Sequence, residues 1–272
     1  MSTATLTPAL VAPISLTELN EVAALQNRID TKYLVTSETA KDLSHWLPYD
    51  ARVLEMEGQR SFSYHSIYFD TPRLDSYHLA AHSRRRRFKI RTRAYCDSQI
   101  AFLEVKTKGQ RGITSKVRIP HDFDSLTELS AEDLDFIRLS LMAAGIEDDS
   151  VHSLEPTLAT GYRRVTYVVP ERDGYAAPSR VTVDTGLYWE QLYSIGGGPA
   201  DDHALLFRPT LGIIETKSMR RSSTANRLLW ERGIRPIKVS KYCTGAAALD
   251  PRLPAHKWHR ALRTVMIPEE TV

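Results

Sequence analysis

The sequence predicts an α+β fold: an antiparallel β-barrel with a basic lumen and helices packed on the outside. Three observations point there. About eight segments alternate apolar and polar residues with period two, as strands with one buried face do. In six of them the polar face is charged or hydrogen-bonding: Lys89/Arg91/Arg93, Glu104/Lys106/Lys108, Lys116/Arg118, Arg164/Thr166, Thr182/Asp184 and Glu215/Lys217. Helical segments, 131–144 above all, carry enough apolar surface to cover the other faces. A barrel that is wet and basic inside and apolar outside, under helices, satisfies all three.

The elements follow in order. "SLTELNEVAAL" (15–25) opens with a helix whose Ser15 and Glu18 are spaced as a capping box. "RIDTKYLV" (28–35) is a strand, and "SETAKDLSHWL" (37–47) a short helix stopped at Pro48. "SFSYHSIYFDT" (61–71) is a strand closed by Asp70, Thr71 and Pro72, and "PRLDSYHLAAHS" (72–83) is helical. Three alternating strands come next: "FKIRTRAY" (88–95), "FLEVKTK" (102–108) and "TSKVRIP" (114–120). In "LSAEDLDFIRLSLMAAG" (129–145) Ser130 caps a helix and Gly145 ends it. Strands return as "LATGYRRVTYVV" (158–169), "SRVTVDTGLYW" (179–189) and "RPTLGIIETKS" (208–218), with "SIGGGPADDHA" (194–204) as a flexible loop. "TANRLLWERG" (224–233) is a helix ended by Gly233, and "CTGAAALDP" (243–251) reads as another. Residues 1–250 are expected to form one domain with its core at about 15–250, and 251–272 a tail with a short helix.

The net charge of +3 hides an asymmetry. Between Arg84 and Arg118 twelve basic residues face only Asp97 and Glu104, a local +10 that leaves −7 for the rest. A local field of one sign implies a polyanionic partner. The two cysteines, Cys96 and Cys243, are too few for a disulfide framework. No signal peptide and no run approaching about 18 apolar residues is present, so a soluble, cytoplasmic protein without a membrane segment is expected.

The chemistry-bearing residues divide into groups. Like charges opposite one another destabilise a sheet, so the basic stripe at 84–93 fits an anion site better than a solvated face. The four consecutive arginines at 84–87 cannot share one face, and they suit a surface or rim better than the lumen. Glu104 and Glu215 each precede a lysine by two, in "EVK" and "ETK"; Asp184 and Asp30 sit in "TVDT" and "RIDTK". Each carboxylate either balances charge or holds a hard divalent ion together with phosphate oxygens. The pairs His78/His82 and His256/His259 lack a third ligand and read as surface residues. There is no phosphate-cradling glycine loop and no dinucleotide fingerprint, so any phosphate is held by side chains. Lys241 in "VSKYC", taken alone, is a surface lysine near a helix start.

Taken together the motifs "RIDTKY", "SIYFDT", "FKIRTRAY", "FLEVKTK", "TSKVRI", "GYRRVTY", "RVTVDT", "GIIETK" and "VSKYC" resemble the polyphosphate polymerase domain of the vacuolar transporter chaperone (VTC) family. That family lies within the triphosphate tunnel, or CYTH-like, superfamily. The resemblance spans roughly residues 20–245 and implies a tunnel that binds triphosphate or polyphosphate. It implies phosphate ligation by Lys32, Lys89, Arg91, Arg93, Lys106, Lys116, Lys217 and one of Arg163 or Arg164. It assigns the metal, Mn²⁺ or Mg²⁺, to Glu215, and gives Arg91, Arg93 and Lys241 catalytic roles at the transferring phosphate. The implied reaction moves the ATP γ-phosphoryl group onto a growing polyphosphate chain. Glu104, by the same comparison, orients its basic neighbours. The superfamily's hydrolases typically open with E-x-E-x-K, where this chain has Arg28-x-Asp30-x-Lys32. That departure favours the VTC type and argues against a second metal there. The chain is expected to be a free-standing catalytic domain without the SPX domain and membrane helices of the eukaryotic complex. A metal-dependent triphosphatase and a non-catalytic polyphosphate- or nucleotide-binding module are the alternatives; a nucleic-acid partner is not expected.

Overall fold

A computed structural model describes residues 11–23, 28–108, 114–146, 149–172, 176–192 and 204–266. The predicted loop at 194–204 lies almost wholly outside them. The strands are β1 (Ala12–Ile14), β2 (Ile29–Thr36), β3 (Arg52–Leu54), β4 (Phe62–Asp70), β5 (Arg87–Tyr95), β6 (Ile100–Lys108), β7 (Thr114–His121), β8 (Glu155–Val169), β9 (Ser179–Gln191), β10 (Leu205–Arg208) and β11 (Leu211–Ser218). The helices are α1 (Leu16–Val22), α2 (Ser37–Trp46), α3 (Asp75–Ala81), α4 (Ala131–Ala143), α5 (Thr224–Glu231), α6 (Lys241–Leu249) and α7 (His259–Val265). No helix among the described residues is long and apolar enough to cross a membrane.

The caps explain several boundaries. Ser15 and Ser130 each accept from the third backbone N–H of their helix, and Glu18 and Asp133 reach back to complete both capping boxes. Gly145 and Gly233 follow α4 and α5 with φ of +66° and +75°, a conformation that glycine adopts at no steric cost.

The main sheet runs β2-β11-β9-β8-β4-β5-β6-β7, with every pairing on this path antiparallel. β3 pairs with β8 and, in parallel, with β1. β10 and β11 both pair with β9 along the same edge, so "RPTLGIIETKS" spans a break with a two-residue register offset. No ladder joins β2 to β7 among the described residues, so the closed barrel expected from the sequence is not shown. What the structure gives is an antiparallel sheet with helices.

The apolar faces lie under helices, as the alternation predicts. α4 places Ile137 and Leu141 against Phe88, Ile90, Leu103 and Val105. α2 and α5 cover Tyr33, Val165, Val183 and Ile214. α3, α6 and α7 instead pack with Tyr68, Tyr162, Trp189 and Ile213, of which Tyr68, Tyr162 and Ile213 share a face with Arg91, Arg164 and Glu215, so this group lies on the charged side of the sheet and not on the outside as expected. Burial of this kind is worth about 1.5–3 kcal/mol per large apolar side chain. Residues 251–266 add Leu253, Trp258, Ala261 and Val265 to the same core, the last two from α7.

Candidate functional site

The charged faces surround a cavity of about 360 Å³. β2 supplies Asp30 and Lys32, with Arg28 just before it; β5 supplies Lys89, Arg91 and Arg93. β6 gives Glu104 and Lys106, β7 Lys116, β8 Arg164, and β11 Glu215 and Lys217. The start of α6 adds Ser240 and Lys241. Ten basic side chains thus face three carboxylates. β2 and β7 are the two ends of the main sheet path, yet both line this space, so the sheet curls around it.

Strand register decides which carboxylate meets which cation. Arg91 lies directly opposite Glu104. Its guanidinium forks onto one carboxylate oxygen at 2.8 and 2.5 Å, and Lys116 from the other neighbouring strand donates to the second at 2.5 Å. Arg93 adds a longer contact of 4.0 Å. Burial pushes the Glu104 carboxyl up, but the Arg91, Arg93 and Lys116 charges outweigh it and hold the group well below the usual carboxylate range. Asp184 on β9 is fully buried behind the cavity wall. It accepts from Arg164 at 2.6 and 2.8 Å and from Lys241 Nζ. Burial raises its pKa, and Arg164 and Lys241 bring it back down to about 2. Glu215 sits opposite Lys32 and accepts its Nζ at 2.5 Å. Asp30 pairs with Arg28 at 3.0 Å.

Not every cation is fully charged at neutral pH by a wide margin. Burial lowers Lys217 to about 8, with Glu215 opposing. Burial lowers Lys106 as well, with Asp30 opposing. Clustering cations away from water makes each a weaker base, and an incoming polyanion reverses that penalty.

The α6 N-terminus is held by several anchors. Ser240 caps the helix, accepting from Cys243 N at 3.2 Å, and its hydroxyl oxygen also accepts from Lys89 Nζ at 2.7 Å. Trp189 Nε1 donates to the Lys241 carbonyl at 2.8 Å. Gly245 makes that approach possible, since a Cβ there would sit 2.0 Å from the indole. The Lys241 ammonium lies 4.2 Å from the Tyr162 ring centroid, a cation–π contact. Tyr242 stacks on Tyr68, a cavity residue, and donates to the buried Asp70. Asp70 also accepts from the backbone of Thr71, Ser76 and Tyr77, and burial pushes it up to about 6. Asp70 therefore joins β4, α3 and α6 behind the site.

The structure brings together Lys32, Lys89, Arg91, Arg93, Lys106, Lys116, Arg164, Glu215, Lys217 and Lys241. It does not bring Arg163 there. That side chain lies on the other face of β8, donating to the Ser61 carbonyl and the Ser61 and Ser63 hydroxyls. Arg84, Arg85 and Arg86 are exposed outside the cavity, as expected of a surface or rim. Tyr68, Ser240 and the supporting Asp70 are contributors that sequence reasoning missed; the "SIYFDT" motif contains two of them but states no role for either.

Among the described residues no group of three or more His, Cys, Asp or Glu side chains is arranged to hold a metal ion. Glu104 and Asp184 are occupied by arginine and lysine together. Glu215 faces the cavity with a single lysine on one oxygen. This donor set fits a hard divalent ion only as a shared site, one carboxylate plus oxygens of a bound phosphate.

Solved structures are similar at low identity, three of them as follows. A putative adenylyl cyclase of Hippeastrum, HpAC1, described as having a dominant triphosphatase activity, is 18% identical with a TM-score of 0.45, over 85% of this chain and 99% of its own. The PH1012 protein of Pyrococcus horikoshii OT3 is 10% identical (TM-score 0.38, 79% of this chain and 98% of that one). A conserved hypothetical protein of Pyrococcus furiosus is 12% identical (TM-score 0.38, 80% and 99%). No curated protein sequence matches. The family profile described as VTC domain matches residues 27–250, most of the chain and every strand of the cavity, and the chain belongs to that family.

Proposed function

We propose that the chain is a polyphosphate polymerase that transfers the ATP γ-phosphoryl group to a growing polyphosphate chain inside a basic tunnel. The observation that carries this reading is the cavity itself: ten cations from six strands and a helix start around three carboxylates, each already paired. Such a surplus suits an extended polyanion held by its phosphates with little need of a base. Phosphoryl transfer asks for positioning and charge neutralisation more than covalent help. Arg91 and Arg93 lie side by side on β5 to grip phosphate oxygens, with Glu104 holding their guanidinium groups in place. Lys241, fixed by Asp184 and the α6 anchors, would reach the transferring group. Lys32, Lys89, Lys106, Lys116, Arg164 and Lys217 would neutralise the rest of the chain.

Glu215, with phosphate oxygens, would hold Mn²⁺ or Mg²⁺, and that ion would supply charge neutralisation at the β- and γ-phosphates. Asp30 is engaged by Arg28, which supports one carboxylate at the metal instead of two. The curl of the sheet supports a tunnel, and the free thiols Cys96 and Cys243 suit a reducing cytoplasm. The test is the product. Purified protein with ATP and Mn²⁺ or Mg²⁺ should make acid-labile polymer that an exopolyphosphatase degrades. Phosphate release without polymer would replace the polymerase with a triphosphatase. Tight polyphosphate binding with no turnover in either metal would leave a binding module.

A further inference from the structure

Tyr68 is the one tyrosine among the described residues that line the cavity. It lies on β4, directly opposite Arg91 on β5, and is 5% exposed. Arg91 Nη1 donates to its hydroxyl oxygen at 3.0 Å. The phenol's own O–H meets no acceptor among the described residues. Glu104 and Asp184 are taken by arginine and lysine instead. Buried phenols ordinarily donate as well as accept. Tyr33 gives its hydrogen to Asn226 at 2.7 Å, and Tyr242 gives its own to Asp70.

The ring cannot turn away to find water. Tyr242 on α6 stacks against it, with centroids 5.0 Å apart and 22° between the planes. Tyr242 is anchored in turn by Asp70, whose oxygens also accept from the backbone of Thr71, Ser76 and Tyr77. The charge around the hydroxyl is also unusual. Burial pushes the Tyr68 phenol up, but the charges of Arg91, Arg93, Lys89 and Lys241 outweigh it and bring the group below the ordinary tyrosine value. Burial takes Tyr33 and Tyr64 the other way, up to about 12. The wall around this hydroxyl therefore favours negative charge, and its unused hydrogen calls for an acceptor.

We propose that Tyr68 is a further ligand-contact residue, donating its hydroxyl hydrogen to an oxygen of a bound phosphate while Arg91 holds the hydroxyl from behind. The proposal rests on the reading of the cavity as a phosphate site. Lysine and arginine charges attract an anion from many directions, whereas an O–H bond with a fixed ring has one direction. Tyr68 thus sets where a phosphate oxygen stops, and Tyr242 and Asp70 are positioning residues for it.

Tyr68→Phe tests it, because the ring and its stacking on Tyr242 stay and the hydroxyl goes. Calorimetric titration should show tripolyphosphate binding weakened about tenfold, the scale of one hydrogen bond to a charged group. A second readout is one that a merely structural tyrosine would not move. Tyrosinate absorbance in the ultraviolet, followed as pH rises, should show a transition below the ordinary tyrosine range in the unmodified protein. Tripolyphosphate should shift that transition upward, since it offsets the cations that favour the phenolate, and Tyr68→Phe should lack it. Affinity within about twofold of the unmodified protein in Tyr68→Phe overturns the proposal. So does a transition that tripolyphosphate leaves in place. If the unmodified protein does not bind tripolyphosphate at all, the phosphate reading of the cavity falls and the proposal with it, an outcome distinct from the other two.

Discussion

Glu104 and Glu215 occupy the same local pattern, a glutamate two residues before a lysine on a strand lining one cavity. Their surroundings differ. Glu104 is 2% exposed and touches Arg91, Lys116 and, at longer range, Arg93. Glu215 keeps a side-chain exposure of 13%, with Lys32 on one oxygen. The difference comes from the flanking strands. β5 sets Arg91 directly opposite Glu104 and β7 brings Lys116 to it diagonally, whereas Glu215 on β11 has Lys32 opposite on one side and Thr182 on the other. A motif on one strand therefore does not define a role; the cations that the flanking strands bring within reach do. Glu104 is a structural counter-ion for Arg91 and Lys116, and Glu215 is the carboxylate with the fewer partners.

The largest effect should separate these two in stability and turnover. Glu104→Gln leaves Arg91, Arg93 and Lys116 crowded without a counter-charge and should cost about 3–5 kcal/mol in urea unfolding. Tripolyphosphate should return more stability to this variant than to the unmodified protein, because it supplies the missing negative charge. Glu215→Gln should cost less than half as much in unfolding and lower polymer formation at least about 100-fold, roughly 2.7 kcal/mol of transition-state stabilisation. Equal losses of stability in the two variants would erase the distinction.

A smaller contrast separates two adjacent arginines. Arg164→Gln should weaken tripolyphosphate binding about tenfold or more, since the side chain lines the cavity and helps hold Asp184. Arg163→Gln should leave binding within about twofold and act through its serine contacts alone. Matching losses of affinity would mean that β8 presents the other face to the ligand.

These comparisons also show what was legible in the sequence. The alternation of Lys89, Arg91 and Arg93 with Phe88, Ile90 and Thr92 gave one strand and both its faces, because side-chain direction follows directly from a period of two. Caps such as Ser130 and Asp133 gave helix starts for the same local reason. The choice between Arg163 and Arg164 needed the cross-strand partners Ser63 and Asp184, and β8 and β9 shift register between Gly161 and Arg163. β1 and β3 escaped notice because three-residue strands carry no period. The Lys241–Asp184 pair joins residues 57 positions apart through the docking of α6, which no local pattern encodes. Closure into a barrel, expected from the sequence, is a property of the whole sheet that its strands do not carry singly.

The smallest expected effect is on pH, and it probes the lysine beside each glutamate. Burial lowers Lys116 to about 8, with Glu104 opposing, and lowers Lys217 to about 8, with Glu215 opposing. Both lose their protons as pH rises through about 8, so tripolyphosphate affinity should fall several-fold between pH 7.5 and 9 by proton linkage. Stability should move the other way. Between about 8 and the ordinary lysine value the unfolded chain holds the proton and the native state does not, so these two groups make unfolding less favourable as pH rises. Each glutamate supports the charge of its lysine, so Glu104→Gln and Glu215→Gln should each shift the loss of affinity to lower pH. Binding that stays flat from pH 7 to 9.5 would show that neither lysine contributes its charge to the ligand. A shift in Glu215→Gln alone would assign the titrating contact to Lys217 and leave Lys116 as part of the scaffold around Glu104.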